Sequence, residues 1–422
     1  MTKPQSMPQA EPKGHQGTKE TMFVYWCQDC GRTYGRNQVR YLCPVCGQRY
    51  RPGQPLVGVL NAIFDYKRIS QRFDKRKPDW SLFSAVEPKY YPNFPVGNTP
   101  FFKAERLGKE LGLADLWIKN DGLNPSGSLK DRASFLMVAE ANRIGEDIIV
   151  TASTGNAASA LAAVCAAAGK KAVIFVPKSA PKAKLVQIVL YGAKIILVDG
   201  SYDDAFKMSL EYTERKGGLN RNTAYHPLTI EGKKTAALEI AAQNRFRPPD
   251  YVVVPVGDGV IISGVYKGFW DLKQAGLIER MPKLVCVQAK TSDAIHRYIV
   301  TGKYRKAARP KTIADSISVS VPSNVHLARR AVTESRGFSV LVGDPEILAA
   351  QASLAKTTGI FAEPAAAAAL AGLKRAVRAN RIPRAAQIVL LITGHGLKDI
   401  EAPLGFRSIQ KLLHQTPKHQ GV

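Results

Sequence analysis

Apolar and polar positions along the 422-residue chain follow two rhythms. Short unbroken apolar runs recur at "LWIKN" (116–120), "DIIVTAS" (147–153), "KAVIFVP" (171–177), "AKIILVD" (193–199), "DYVVVPVG" (250–257), "KLVCVQA" (283–289) and "QIVLLITG" (387–394). Runs of this length, apolar at nearly every position rather than alternate ones, predict strands buried on both faces, as in a parallel sheet. Between them lie longer Ala-rich stretches such as "NAASALAAVCAAAG" (156–169) and "PAAAAALAGLKRAVRAN" (364–380), which predict helices. The alternation of the two predicts an α/β protein with mostly parallel sheets. No solenoid-type repeat is present.

In open parallel sheets, ligands bind where strand ends lead through loops into helix N-termini. Four such loops are rich in Gly, Ser, Thr and Asn: "DGLNPSGSLKDR", "STGNAAS", "GDGVIISG" and "TGHGLKD". In the first, Ser128 and Asp131 have the spacing of a capping box, which predicts a helix starting near Leu129 with Lys130 in its first turn. Leu129, Ala133, Leu136 and Ile144 mark its apolar face. A cation there opposes the helix dipole, and the dipole with burial would lower its pKa and favour a nucleophilic amine. A solvated lysine at a helix start is the competing reading, and local physics does not choose between them. Ser153, Thr154, Gly155 and Asn156 open another helix, where free N–H groups suit a carboxylate or phosphate; ordinary capping accounts for the same residues. Gly257 and Gly259 let the backbone approach an anion, but the spacing is GxGxxxxG, not the dinucleotide fingerprint. No GxxxxGK[ST] motif occurs, which argues against a P-loop NTPase. Thr393 ends the last strand, and His395 beside it reads as a packed loop histidine without a carboxylate partner.

Composition adds limits. Hydrophobic residues make up 45% and charged residues 22%, which suits a soluble globular protein. No run reaches the ~18 apolar residues of a membrane span. The first twenty residues are polar, without a secretory core, and read as a disordered tail of a cytoplasmic protein. The net charge is +26. Its basic residues are scattered, without interleaved aromatics, so nucleic acid is not the expected partner.

Four of the six cysteines form two CxxCG knuckles, Cys27 with Cys30 and Cys43 with Cys46. Each knuckle aims two thiolates at one point, and Gly31 and Gly47 would turn the backbone back with a positive φ. An all-cysteine cage predicts structural Zn2+ rather than a catalytic metal. Cys165 and Cys286 lie in apolar runs and read as buried thiols. A Pro- and charge-rich connector, residues 75–100, follows the module.

Taken in order over about residues 95–400, "NPSGSLKDR", "STGN", the Gly loop, "EPAAAAALAGL" and "TGHGLKD" resemble the pyridoxal-phosphate enzymes of the tryptophan-synthase-β superfamily, and within it the threonine synthases. The resemblance extends to the Cys knuckles that often precede that domain. It implies that Lys130 carries pyridoxal 5′-phosphate as a Schiff base, that Asn156 holds the cofactor's 3′-oxygen, and that Ser153, Thr154 and Gly155 surround the substrate carboxylate. It implies that the backbone of Gly257, Asp258, Gly259, Val260 and Ile261 takes the cofactor phosphate and that Thr393 meets the pyridine nitrogen. The implied reaction turns O-phospho-L-homoserine and water into L-threonine and phosphate, with Lys130 as the proton-transferring base. A serine/threonine ammonia-lyase or a β-replacing synthase is the alternative on the same fold. A homodimer is the family expectation.

Two positions depart from the family pattern. The phosphate loop reads "GDGVI" where GNAGN is common, so the Asp258 side chain is expected to point away from the anion. "HPLTIEGKKT" places His226 and Thr229 where an asparagine and an arginine usually help hold the substrate phosphate, with Lys233 and Lys234 as substitutes. The expected arrangement is two parallel-sheet α/β domains around a cofactor cleft behind a zinc-ribbon-like module. Its parts are a tail at 1–20, the four-cysteine module at 21–55, a large domain at 56–145 with 231–405, a small closing domain at 146–230, and a basic tail at 406–422.

Overall fold

All seven apolar runs form strands, and they sort into two sheets. The structure, a computed structural model, describes residues 22–178 and 182–404. The expected tails at 1–20 and 406–422 lie outside the described residues. A six-stranded sheet has the order Phe338–Val342, Lys283–Ala289, Tyr251–Pro255, Gln387–Ile392, Asp115–Asn120, Phe101–Lys103. It is parallel except for the last strand, which pairs antiparallel at the edge. A four-stranded, all-parallel sheet has the order Lys194–Val198, Lys171–Pro177, Ile148–Ala152, Leu219–Asn220.

Burial explains six of the seven apolar runs; the seventh, Lys194–Val198, is an edge strand of the smaller sheet with only Val198 fully covered, so the expectation of burial on both faces fails there. Helices cover both faces of the larger sheet, and Val252, Val253 and Val254 are all fully buried. Register then places the loops. Ile392 pairs with Asn120, and Pro255 with Val287, so neighbouring strands end at one edge of the sheet. The segments that follow them start side by side.

Other elements were not foreseen. Phe338–Val342 is interrupted by Ser339, and Phe101–Lys103 and Leu219–Asn220 are too short to show a period. The Cys module supplies Thr33–Tyr34 and Phe23–Cys27 to a three-stranded antiparallel sheet whose third strand, Leu60–Phe64, comes from beyond the expected end of the module at 55. The connector is packed rather than free. Leu82 and Phe83 are buried, and Trp80 stacks on Phe246 at 6.2 Å. Cys165 and Cys286 are buried and unbridged. Among the described residues no helix is long and apolar enough to cross a membrane.

The helix Lys130–Ile144 starts one residue after Leu129, but the expected capping box is absent. Asp131 turns back instead to the Ser126 N–H, at 2.7 Å, and to the Ser126 hydroxyl. The preceding loop doubles back at Gly127 (φ 85°) and brings Ser126 within reach.

A buried charge network ties this helix to the rest. Arg132 donates to both oxygens of Asp121, at 2.6 and 2.9 Å, and to both oxygens of Glu239, at 2.6 and 2.8 Å. Lys119 adds bonds to Glu239 at 2.6 Å and to the Thr99 carbonyl at 2.7 Å. Burial works against the ionised Glu239 carboxyl, but Arg132 and Lys119 hold its pKa down to about 2 from 4.5. Removing one partner of such a buried set strands the others. Glu239→Gln is therefore expected to cost about 3 kcal/mol in urea unfolding. The folded-state pKa is depressed, so Glu239's contribution is complete above pH 4.5 and is lost as pH falls toward about 2. The variant should show a flatter acid limb in stability against pH, and an unchanged limb would rule out this origin.

Candidate active site

The loop before Lys130 is laced to the end of the last large-sheet strand. Leu129 N–H donates to the Thr393 carbonyl at 2.9 Å, and His395 N–H to the Gly127 carbonyl at 2.9 Å, flanking a Ser128–Gly394 bridge. Lys130, at the first helical position, is thereby held beside Thr393. A Cβ on Gly394 would run into the Glu363 carboxylate, so any side chain there requires Glu363 to move.

Lys130 and Thr393 open onto a cavity of about 380 Å³. The residues that the resemblance assigns to the cofactor and to the substrate carboxylate line it too: Ser153, Thr154, Gly155, Asn156, Gly257, Asp258, Gly259, Val260 and Ile261. They come from both sheets. Ser153–Asn156 follow the strand Ile148–Ala152, and Gly257–Ile261 follow Tyr251–Pro255.

Among the described residues the Lys130 amine has no hydrogen bond or ion pair. Burial holds it below its usual range; Glu363 opposes the shift and Arg221 adds to it. Gly259, at φ 86°, starts the helix Val260–Gln274, whose first N–H groups have no intrahelical acceptor. Gly257 and Gly259 are both needed for packing, because a Cβ would lie 2.9 Å from Ile317 Cα or 2.7 Å from Ala328 Cβ. The Asp258 carboxylate accepts from Ser323 N–H at 3.3 Å, and burial raises its pKa. Ser153 Oγ accepts from Gly155 N–H at 3.2 Å.

The sequence motifs give Glu363 no role. It stands before Pro364 at a helix start, so it reads there as an ordinary boundary. In the fold it is buried in the cavity wall and accepts both bonds of the Asn156 amide, at 3.0 and 2.9 Å. Burial raises its pKa, against the Asn156 bond and Lys130. Thr223, Lys233 and the loop 315–321 line the same space. No sequence signal marked the loop.

The departing positions lie elsewhere. His226 is buried, its Nδ1 accepts from Leu228 N–H at 3.2 Å, and burial with Arg40 and Arg143 lowers its pKa to about 3. Thr229 Oγ1 donates to the His226 carbonyl at 2.8 Å and accepts from Ala224 N–H at 3.0 Å. Neither lines the cavity. Lys234 is not a substitute phosphate ligand either, because it is locked to Glu231 at 2.6 Å and Asp271 at 2.8 Å. Only Lys233 reaches the cavity wall. His395 stays outside the lining, its Nδ1 accepting from Leu397 N–H at 3.1 Å.

In the N-terminal module the sulfurs of Cys27, Cys30, Cys43 and Cys46 all lie within 4.8 Å of one another, and none is in a disulfide. Cys30 and Cys43 are 3.8 Å apart, close to the ~3.8 Å edge of a tetrahedron with Zn–S bonds of about 2.3 Å. The cluster could hold a metal ion. Gly31 has φ 74° as expected. Gly47 does not enter the left-handed region but opens the short turn Gly47–Arg49, and Gly58 at φ 80° makes the close approach, its Cβ position 2.8 Å from Gly47 N.

The model of the family "Pyridoxal-phosphate dependent enzyme" matches residues 93–394. The threonine synthase of Methanocaldococcus jannaschii is 36% identical over 397 residues, covering 90% of this chain and 93% of that one. That of Methanosarcina acetivorans is 36% identical over 388 residues, with the same two coverages. Among solved structures, the processed form of threonine deaminase isoform 2 from Solanum lycopersicum shares the fold, with TM-score 0.62 and 24% identity over 73% of this chain and 88% of that one. The chain belongs to the pyridoxal-phosphate-dependent enzymes, in the superfamily of tryptophan synthase β and threonine synthase. It is a lyase-type enzyme of that family.

Gly394→Ala is expected to displace Glu363 and the Lys130 loop together. Overpacking of this kind costs about 1–3 kcal/mol. Thermal unfolding and cofactor titration of the variant should both show the loss, and normal values in both would mean the crowding is relieved without consequence.

Proposed function

We infer that the protein converts O-phospho-L-homoserine and water to L-threonine and phosphate. The observation that carries this is the unpartnered amine of Lys130, below its usual pKa, in a cavity lined by hydroxyl, amide and glycine-loop groups. The relatives named threonine synthase support the substrate.

The residues present fit the cofactor by their chemistry. Lys130 offers a free amine, the start of Val260–Gln274 offers unpaired N–H groups, and Thr393 offers a hydroxyl with no hydrogen bond among the described residues. When bound, pyridoxal phosphate supplies the electron sink for carbanion chemistry. In this reading Lys130 anchors the cofactor and then moves protons on the substrate's α and β carbons. The backbone of Gly257–Ile261 holds the cofactor phosphate, and Asn156 the cofactor's 3′-oxygen once Glu363 yields its amide. Thr393 accepts or donates at the ring nitrogen without forcing a charge there. Ser153, Thr154 and Gly155 hold the substrate carboxylate with backbone N–H groups and hydroxyls.

The wider reading is a cytoplasmic homodimer acting on a small anionic amino acid, with no nucleic-acid partner. Its four-cysteine module is zinc-ribbon-like and carries structural Zn2+. Residues 146–230 form the small closing domain, and 56–145 with 231–405 the large one. The separation of the strands between 148–220 and 101–120 with 251–392 supports that division.

Cofactor-loaded protein should release phosphate and L-threonine in equal amounts from O-phospho-L-homoserine. Lys130→Ala should lose the visible absorbance of the bound cofactor and all turnover while still folding. No turnover of phosphohomoserine, with 2-oxo acid formed from serine or threonine, would replace this reading with the ammonia-lyase.

A further inference from the structure

Two arginines are buried near the start of the helix Lys130–Ile144, and they are treated in opposite ways. Arg132 is saturated by Asp121 and Glu239. Arg221 is fully buried and has no carboxylate partner among the described residues. Its Nε donates to Ser134 Oγ at 3.3 Å and its Nη1 to Thr223 Oγ1 at 3.5 Å, while Nη2 is buried with no partner among the described residues. Ser134 lies one helical turn beyond Lys130, on the same face. Thr223 is in the cavity wall. The guanidinium therefore stands directly behind that wall, beneath Lys130.

Lys233 completes the group. It is fully buried, lines the cavity, and has one hydrogen bond among the described residues, to the Thr229 carbonyl at 3.1 Å. Arg221 and Lys130 both press on it electrostatically. Asp258 and Glu363 in the cavity wall, and Asp131 nearby, act on these cations through space, but none forms an ion pair with Lys130, Lys233 or Arg221 among the described residues; their hydrogen bonds are to Ser323, Asn156 and Ser126. Buried cations without an ion-pair partner in contact are better satisfied when an anion arrives from outside.

We propose that Lys233 and the Thr223 hydroxyl bind the substrate's phosphate, with Arg221 behind Thr223 supplying the charge that makes the subsite selective for a dianion. This rests on the functional reading above and deepens it. Arg221 follows the strand Leu219–Asn220 of the smaller sheet, the sheet that also carries Ser153–Asn156, and so lies on the substrate's side of the cavity. The glycine loop assigned to the cofactor phosphate belongs to the other sheet. An arginine eight residues before Thr229 thus takes over what Thr229 cannot do.

The test uses cofactor-loaded protein and the variants Arg221→Met, Arg221→Lys and Lys233→Gln. Calorimetry measures the Kd of inorganic phosphate, and steady-state kinetics gives KM and kcat for O-phospho-L-homoserine. Arg221→Met and Lys233→Gln are expected to weaken phosphate binding and raise KM by about tenfold or more, with a smaller change in kcat. Cofactor affinity should stay unchanged, and Arg221→Lys should recover part of the loss. If Arg221→Met does not fold, Arg221→Lys and Lys233→Gln carry the same comparison. Unaltered phosphate binding in the variants overturns the proposal, as does a matching fall in cofactor affinity, or wild-type protein that binds no phosphate. Phosphate bound through Arg221 and Lys233 without turnover of phosphohomoserine would keep the subsite and reject the synthase reading. Turnover with KM unmoved in all variants would keep the synthase reading and reject the subsite.

Discussion

Lys130 is placed by two backbone hydrogen bonds that join segments more than 260 residues apart, Leu129 to Thr393 and His395 to Gly127. A long side chain at a helix start samples many rotamers, and only a fixed backbone narrows where its amine goes. Here the backbone is fixed from outside, because the helix has no side-chain cap of its own. The strand Gln387–Ile392 lies between Tyr251–Pro255 and Asp115–Asn120, so its end cannot shift without disturbing the middle of the sheet. Arg132 ties the same helix start to Asp121 and Glu239 from behind. The free amine is thus mounted on a backbone tied down from two sides, which is what a preorganised site needs.

The Cys module packs against both walls of that site. Tyr41 stacks on Tyr225 at 4.6 Å, and its hydroxyl accepts from Asn220 N–H at 3.0 Å, next to Arg221. On the other side, just past the module's expected end, Leu56 N–H donates to the Ser323 carbonyl at 3.0 Å, and Ser323 N–H holds Asp258. Leu56 and Val59 share one apolar cluster with Ile230 and Val260. The four sulfurs gathered in the module could hold a metal ion, which would cross-link a module of this size. Through these contacts the module touches the neighbourhood of the Gly259 turn and the segment between Arg221 and Lys233.

What the sequence made legible follows from where the information is local. Strands that are apolar at nearly every position show as runs, and seven were readable for that reason, six of them well buried and Lys194–Val198 at an exposed edge. Edge strands of two or three residues carry no period, and Phe338–Val342 is broken by a serine. The Gly-, Ser- and Thr-rich loops were readable because their composition departs from that of core elements. The capping box failed because Ser126, not Ser128, reaches Asp131 once Gly127 doubles the chain back. His226 and Thr229 were read as cavity positions from alignment to a motif. In the fold they serve their own turn, where Ala224 has φ 60° and Thr229 caps its N–H. Glu363, Thr223 and Arg221 were missed because each derives its significance from what stands, or fails to stand, opposite it in space.

That last difference separates supporting charge from charge kept for a ligand. Burial alone lowers the pKa of any cation, and it does so for Arg221, down to about 10. For Arg132 burial acts in the same direction, yet Asp121 and Glu239 reverse it and the pKa is raised. Burial is alike and the outcome opposite; what differs is a carboxylate in direct contact, since Asp131 acts on Arg221 only through space. A chain that needed these cations only for its own stability would have paired all of them, as it paired Arg132, Lys119, Lys234 and Lys267. Lys130, Lys233 and Arg221 have no such partner among the described residues, and two of the three line the cavity. Cations gathered around one cavity without an ion pair in contact are the arrangement by which a fold trades local stability for affinity toward an anion.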